Sequence, residues 1–198
     1  MLGMDILDII NTTLDESASL HSLIRSDPVF IKSLEDASKN LIDTFEHKGK
    51  VLLAGNGGSA ADCQHIAAEF VGRLNFDREP LSAIAMTANT SNLTCIANDY
   101  GYDEIFSRQI RALASPNDTL VAYTTSGKSP NILKLIKEAR GKVKHIILLT
   151  GNYTDEIAVN SDVIISVKSA KTTRIQEVHA IAGHILCEVV EEHFFGVR

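Results

Sequence analysis

Five short apolar runs alternate with helical segments along most of this chain, which restricts the possible folds to a small class. The runs are rich in Val, Ile, Leu and Ala and lack polar alternation, which is typical of strands buried on both faces. We therefore predict an α/β fold of three layers, with helices on both faces of a five-stranded parallel sheet. The predicted strands are 50–54, 81–86, 119–123, 144–149 and 162–167, and the predicted helices around them are 59–74, 102–114, 130–140 and 173–195.

Helical patterns also fill the segment before the first predicted strand. The first 25 residues are amphipathic, and Asp27 followed by Pro28 predicts an N-cap with proline at the first helical position. Gly49 predicts the end of this second helix. Because 198 residues suit one domain, we predict a single domain over 1–198, with 1–48 as an N-terminal helical extension.

Composition and charge argue against several functional classes. The net charge of −6 does not favour a general nucleic-acid-binding role. Cys63, Cys95 and Cys187 lack CxxC spacing, so we expect a reducing, cytoplasmic environment. The N-terminus has acidic residues where a signal peptide has basic ones, and no apolar run approaches transmembrane length, so we expect no membrane partner.

The first predicted strand leads directly into a glycine-rich loop, Gly55-Asn56-Gly57-Gly58. These glycines allow a ligand to approach the backbone, Ser59 can cap the following helix, and the helix N-terminus attracts an anion. A turn that needs glycine for its geometry alone is the alternative. The loop also satisfies the dinucleotide fingerprint, but the second predicted strand ends at 84–88 without the acid that binds ribose.

A second loop, Thr124-Thr125-Ser126-Gly127-Lys128-Ser129, follows the third predicted strand and opens a helix at Pro130. Its hydroxyl groups, its glycine and the helix N-terminus suit a phosphate group. The spacing is not that of a Walker loop, and a simple capping turn is the alternative. Because both loops follow strands of a parallel sheet, we expect them to meet at its carboxyl edge, near a topological switch point.

His65 and Glu69 lie four residues apart, so they share one face of the helix after the first loop. This pair suits acid–base chemistry or metal binding, and a structural role for the histidine is the alternative. Gln176 and His184 lie on the C-terminal helix, whose dense apolar positions predict burial. Both polar side chains therefore need partners.

A set of motifs spread over nearly the whole chain is highly specific when taken together. The motifs are 55–62, 64–65, Glu69, 72–73, 98–102, 106–109, 125–127, 174–177 and 184–188. With them the chain resembles the phosphoheptose isomerases, which are sugar isomerase (SIS) domain proteins that interconvert sedoheptulose 7-phosphate and D-glycero-D-manno-heptose 7-phosphate. Thr173 stands where many members have Asp or another residue, which could alter sugar contacts, and Thr124 replaces a common Ser while keeping the hydroxyl group.

The resemblance implies a flavodoxin-like sheet, the SIS fold, in a homotetramer whose active sites lie at subunit interfaces and whose N-terminal extensions pack in the oligomer. It implies one zinc ion per subunit and an isomerase that starts heptose biosynthesis for a surface polysaccharide, such as lipopolysaccharide or capsule. It implies Glu69 as the catalytic base and His184 as the acid. The zinc ligands would be His65, Glu69, Gln176 and His184. The residues that would bind the sugar phosphate are Asn56, Gly57, Gly58, Ser59, Arg73, Asn98, Asp99, Thr124, Thr125, Ser126, Ser129 and Gln176.

Aldose–ketose exchange moves a proton between C1 and C2 through an enediol or enediolate. It needs a base that serves both carbons, an acid near the oxygens and stabilisation of negative charge. On a straight helix, Gln176 and His184 are separated by about 12 Å of rise and about 80° of rotation. Both can bind one ion only if Gln176 lies at the helix start and leans inward, or if two subunits contribute. We favour a site assembled at the tetramer interface.

The sequence is also compatible with two other functions. Some relatives of the phosphoheptose isomerases bind a replication initiator protein, so a non-catalytic SIS protein is one alternative. A regulatory module that binds sugar phosphates is the other, and it would need the phosphate loop but not Glu69. The presence of His65, Glu69, Gln176 and His184 together favours the enzyme.

Overall fold

The computed structural model of the protein describes residues 5–75, 77–153 and 155–196, so residues 1–4 of the predicted extension lie outside the described residues. Two helices precede an alternation of strands and helices, as the sequence predicts. The helices are α1 (Ile6–Ser26), α2 (Pro28–Glu46), α3 (Gly58–Val71), α4 (Thr90–Tyr100), α5 (Ile105–Leu113), α6 (Pro130–Ala139), α7 (Asp155–Val159) and α8 (Thr172–Phe195). The strands are β1 (Val51–Ala54), β2 (Ala83–Ala85), β3 (Thr119–Thr124), β4 (His145–Thr150) and β5 (Val163–Ser166).

The five strands form one parallel sheet with the order β2-β1-β3-β4-β5. This is the flavodoxin-like order, so the predicted α/β architecture with a five-stranded parallel sheet is confirmed. The chain reverses its direction of progression across the sheet between β1 and β3, and this is the topological switch point. The loops that follow these two strands therefore lie on either side of the switch point.

Helices cover both faces of the sheet. Successive strand residues point to opposite faces, and both sets are apolar, so each face must pack against helices. Val51 and Leu53 of β1 pack with α2, α3 and α8 on one face. Leu52 and Ala54 pack with α4, α5, α6 and α7 on the other. All four residues of β1 are buried, which explains why the sequence of this strand shows no polar alternation.

The two N-terminal helices differ in how much they bury. Asp27 caps α2 as predicted, because its Oδ1 accepts the N–H groups of Val29 (2.9 Å) and Phe30 (3.3 Å). Only Ile24 of α1 is buried among the described residues of that helix. None of the described helices has the length and apolarity that a membrane span requires. Exposed apolar side chains of α1 are Ile6, Leu7, Ile9, Ile10, Leu14 and Leu23.

The sequence prediction misses α4 and α7. Polar residues dominate α4, and only Leu93, Ile96 and Ala97 mark its apolar face, so the helical repeat is short and weak. Its start is marked by Asn89, whose Oδ1 accepts the N–H of Asn92 (3.0 Å). α7 has only 5 residues, too few for a periodic pattern. Three boundaries differ by two residues or more: β2 begins at Ala83, α3 ends at Val71, and α5 begins at Ile105 after a 3-10 turn over Tyr102–Glu104.

Candidate active site

The two predicted loops meet at the carboxyl edge of the sheet. Nδ2 of Asn56, in the loop after β1, donates to Oδ1 of Asn131 at the start of α6 (2.9 Å). Nδ2 of Asn131 donates in return to Oδ1 of Asn56 (2.8 Å). The hydroxyl group of Tyr102 donates to the same Oδ1 of Asn56 (3.1 Å). This amide pair confirms that the loops adjoin at the switch point.

Asn131 and Tyr102 both contact Asn56, and sequence reasoning does not predict either as a site residue. Asn131 is buried and lies directly after the hydroxyl-rich loop and Pro130, which is the one signal that could have drawn attention to it. Its partner Asn56 is 75 positions away, and such a pairing is fixed by the strand order and not by any local pattern.

The glycines of the first loop serve different purposes. Gly57, the N-cap of α3, has a φ of +56°, which lies in the left-handed region that favours glycine. A Cβ atom on Gly58 would lie 2.5 Å from Nε2 of Gln176, so glycine leaves room for that amide. The prediction that Ser59 caps α3 is wrong, because the helix begins at Gly58 and Ser59 is buried within its first turn.

The hydroxyl groups of the second loop have different surroundings. Thr124 is buried, and its Oγ1 accepts the N–H of Gly127 (3.2 Å), so this side chain shapes the loop from within. Oγ of the exposed Ser126 accepts the N–H of Lys128 (3.2 Å). Ser129 is the N-cap of α6 without a capping hydrogen bond from its own side chain. Thr125, Ser126 and Ser129 keep exposed surface at the N-terminus of α6.

α3 and α8 lie side by side and run in the same direction. A Cβ atom on Gly183 would lie 2.7 Å from Cδ1 of Ile66, so the missing side chain allows the two helices to approach closely. This packing brings His184 of α8 next to His65 of α3. Residues further along α3 contact residues further along α8, as expected for helices that run in the same direction. The contacts are Gly58 with Gln176, Ile66 with Gly183, and Leu74, just beyond α3, with Glu191.

His65, Glu69 and His184 form a cluster of potential metal ligands. Nε2 of His65 lies 2.8 Å from Nε2 of His184 and 3.4 Å from Oε1 of Glu69. One ligand atom from each of the three residues lies within 4.8 Å of the other two. Two imidazole nitrogens and one carboxylate oxygen suit zinc and leave a fourth position for water or substrate. The cluster therefore fits the zinc ion that the resemblance to the phosphoheptose isomerases implies.

A single chain supplies these three residues, so a second subunit is not needed to bring them together. Gln176 lies near the start of α8, which begins at Thr172, and its amide faces Gly58. This placement agrees with the first of the two geometric alternatives, a glutamine at the helix start. Gln176 lies about two helical turns before His184, and its role as a zinc ligand stays a prediction.

Three other predicted residues lie on exposed surfaces. Nδ2 of Asn98 donates to Oδ1 of Asp99 (2.8 Å), and both residues lie at the C-terminal end of α4. Arg73 lies just beyond the C-terminal end of α3. Because 14 helical residues span about 20 Å, Arg73 is about one helix length from the glycine loop of its own chain. Contacts of these residues with the sugar phosphate stay predictions.

Burial shifts the pKa of two other groups on the helices that carry the cluster, Asp62 on α3 and His179 on α8. Oδ2 of Asp62 is buried without a hydrogen-bond partner among the described residues, and burial raises the pKa of this carboxyl group while His65 lowers it in part. His179 is fully buried next to Tyr123, with ring centroids 5.9 Å apart. Burial lowers the pKa of His179 to about 4, so its ring is neutral at pH 7.

Comparison with known proteins gives a consistent result. Residues 21–151 match the SIS domain family. The phosphoheptose isomerase of Burkholderia pseudomallei (strain 1710b) is 45% identical over 190 residues, which cover 96% of this chain and 96% of that protein. That of Aneurinibacillus thermoaerophilus is 42% identical over 188 residues, 95% of each chain. The solved structure of the phosphoheptose isomerase from Neisseria gonorrhoeae gives a TM-score of 0.88 at 35% identity, covering 95% of this chain and 100% of that one.

Proposed function

We infer that this chain, which belongs to the SIS domain family and within it to the phosphoheptose isomerases, interconverts the ketose sedoheptulose 7-phosphate and the aldose D-glycero-D-manno-heptose 7-phosphate. One observation on the site carries this function: the ligand atoms of His65, Glu69 and His184 lie within 4.8 Å of one another. These groups offer a carboxylate base and imidazole nitrogens on the helix pair that adjoins the switch point.

Glu69 is the base in this proposal. A single carboxylate can remove a proton from one carbon and return it to the neighbouring carbon, as exchange between C1 and C2 requires. Only 18% of the Glu69 side chain is exposed, which limits competition from bulk water. His184, on the facing helix, is the acid that protonates the substrate oxygen, and its Nε2 lies 2.8 Å from Nε2 of His65.

The cluster is also the proposed site of one zinc ion per subunit. His65, Glu69 and His184 of one chain would hold it, and the resemblance adds Gln176 as a further ligand. When bound, zinc supplies a Lewis acid that polarises the sugar carbonyl and stabilises negative charge on oxygen. The nitrogen and oxygen donors of the cluster support zinc over magnesium or calcium, which prefer oxygen ligands alone.

The two loops at the switch point divide the remaining substrate contacts. Thr125, Ser126 and Ser129 lie at the N-terminus of α6, where hydroxyl groups and free backbone N–H groups favour a phosphate. Asn56, Gly57 and Gly58 lie at the start of α3 and are proposed to contact the sugar chain. The Asn56–Asn131 pair links the two loops, so it sets the spacing between the phosphate and sugar contacts.

The assembly is proposed to be a homotetramer with active sites at subunit interfaces. Two observations support an oligomer. α1 leaves many apolar side chains exposed, which an interface would cover. Arg73 lies about one helix length from the glycine loop of its own chain, so it is better placed to contact substrate in a neighbouring subunit.

The cellular role follows from the reaction. Heptose 7-phosphates lead to the heptose of surface polysaccharides, so we propose that the enzyme supplies the first step of such a pathway. The cytoplasm is the proposed compartment, because Cys63, Cys95 and Cys187 are all free thiols. Neither a protein that binds a replication initiator nor a purely regulatory module needs the His65–Glu69–His184 cluster, so these alternatives are not favoured.

An assay of the purified protein tests the function. The protein is incubated with sedoheptulose 7-phosphate, once with added zinc and once with a chelator, and formation of the aldose phosphate is followed. We expect aldose in the first reaction and its loss in the second. Failure to form aldose under every condition would contradict the isomerase.

A further inference from the structure

Arg78 and Glu191 form a buried ion pair outside the set of predicted site residues. Nε of Arg78 donates to Oε1 of Glu191 at 2.8 Å, and the two side chains are only 2% and 1% exposed. Burying two charges is unfavourable unless both groups are also well hydrogen-bonded. Their other hydrogen bonds go mainly to the backbone at the end of α3, the helix that carries Glu69.

Arg78 closes the C-terminal end of α3. The last carbonyl groups of an α-helix lack donors within the helix. Here Nη2 of Arg78 donates to the carbonyl oxygen of Glu69 (2.8 Å), and Nη1 donates to that of Phe70 (2.9 Å). Gly72 has a φ of −83°, so α3 lacks the left-handed residue that ends many helices. The guanidinium group donates to both carbonyl groups instead, and the N–H of Leu81 also donates to that of Phe70 (2.9 Å).

Glu191 holds the turn that follows α3. Its Oε1 accepts the N–H of Leu74 (2.9 Å), and its Oε2 accepts the N–H of Asn75 (2.6 Å). Burial raises the pKa of Glu191, whereas hydrogen bonds from these N–H groups and from Arg78 lower it by a larger amount. The net shift of the pKa is downward, so the carboxylate is charged at neutral pH. Glu191 is seven residues after His184, about two turns further along the same face of α8.

We propose that Arg78 and Glu191 are positioning residues for catalysis, a pair here called the Arg78–Glu191 clamp. The clamp ties the backbone of Glu69 to α8 and thereby sets the distance between Glu69 and His184. Its catalytic consequence rests on the proposed isomerase function, whereas its effect on the end of α3 does not. Lysine cannot replace Arg78, because one ammonium group lacks the planar fork that reaches both carbonyl groups and the carboxylate.

Three variants test the clamp. Arg78→Lys keeps the charge but loses the fork, and Glu191→Gln keeps the volume but loses the charge. Asp118→Asn is the matched control, because Asp118 is also buried and its Oδ2 accepts a hydrogen bond from Nζ of Lys50 (2.6 Å). Asp118 lies at the amino edge of the sheet, away from α3. For each folded variant, kcat, KM, the melting temperature and amide hydrogen exchange across residues 69–75 are measured.

We expect Arg78→Lys and Glu191→Gln to lower kcat by about 10-fold or more, because displacing a catalytic group by about 1 Å can cost as much as about 100-fold. Amide exchange across 69–75 should become faster in both. Asp118→Asn should lower the melting temperature while kcat and this exchange stay at the wild-type values. If one clamp variant fails to fold, the other gives the same comparison.

Two results would overturn the clamp: unchanged exchange across 69–75 in both variants, or a loss of kcat no greater than that of Asp118→Asn. The exchange measurement needs no substrate. An inactive wild-type protein would therefore contradict the proposed isomerase function, while the exchange rates would still decide whether the clamp holds the end of α3.

Discussion

Nε2 of His65 lies 2.8 Å from Nε2 of His184, although the two residues are 119 positions apart in the chain. The distance is short because α3 and α8 pack side by side and run in the same direction, and Gly183 has no side chain where it meets Ile66. Glu69 belongs to one helix and His184 to the other. The chemistry of the site therefore depends on how these two helices are held together.

Removing either histidine should weaken zinc binding. We expect the wild-type protein to bind about one zinc ion per chain, and His65→Ala or His184→Ala to lower the affinity by more than about 10-fold, because each change removes a nitrogen ligand. Isothermal titration of the metal-free protein measures this. His47→Ala is the control, since His47 is an exposed histidine at the end of α2. Equal zinc affinity in all four proteins would show that the cluster is not the metal site.

Gly183→Ala should separate α3 from α8. The new Cβ atom would meet Cδ1 and Cγ1 of Ile66 at 2.7 and 2.9 Å, so the helices or the Ile66 side chain must move. Overpacking of this kind costs about 1–3 kcal/mol of folding stability. We expect a lower melting temperature and lower kcat.

The double variant Gly183→Ala with Ile66→Ala provides the control for that effect. Because Ile66→Ala removes both clashing atoms, the two changes should be less harmful together than the sum of their single effects predicts. Strict additivity in stability and in kcat would mean that the Gly183–Ile66 contact does not set the helix spacing.

Ser126→Ala should weaken phosphate recognition more than it slows the chemistry. Ser126 is exposed at the loop before α6, and its loss removes one hydroxyl group from the proposed phosphate site. We expect KM and the inhibition constant of inorganic phosphate to rise by about 10-fold, as loss of a hydrogen bond to a charged group of about 1.5 kcal/mol implies. Ser26→Ala, on α1, should change neither constant. A fall in kcat at unchanged KM would contradict a role in binding.

His179 should make the protein less stable in mild acid. The unfolded histidine takes up a proton below pH about 6.5, but the buried one does so only below a pKa of about 4. Between these values the unfolded state binds more protons, so stability falls as the pH falls, by up to about 3 kcal/mol. His179→Gln should flatten this dependence in urea unfolding between pH 6.5 and 4.

His47→Gln is the control for the acid effect, because His47 is exposed. It should keep the wild-type slope of stability against pH. A His179→Gln protein with that same slope would mean that the buried ring does not control the acid sensitivity.

Local patterns predict the strands and the loops but not the contacts between distant helices. β1 and β3 are recognisable because burial on both faces gives unbroken apolar runs, and the loops after them follow from the parallel order. α4 escapes prediction because only Leu93, Ile96 and Ala97 mark its apolar face within a polar sequence. The prediction that Ser59 caps α3 fails because the N-cap is Gly57, which has no side chain to accept a hydrogen bond.

Two features of the site depend on tertiary packing alone. The parallel contact of α3 with α8 joins positions more than 100 residues apart, and the Arg78–Glu191 clamp joins positions 113 apart. Neither contact leaves a periodic signal in the sequence. The helix contact depends on the single glycine Gly183, and the clamp depends on a single ion pair, and in both cases the fold decides which residue is the partner. His65, Glu69 and His184 could be predicted as a set only through resemblance to a family, whereas their distances come from the structure.

The measurement that tests the isomerase account most directly is the turnover of sedoheptulose 7-phosphate by Glu69→Gln at the same zinc content as the wild type. Glutamine keeps the size of the side chain but cannot accept the proton, so we predict that kcat falls by at least about 100-fold while the oligomer stays intact. Turnover by the zinc-loaded Glu69→Gln protein at close to the wild-type rate would contradict the assignment of Glu69 as the base.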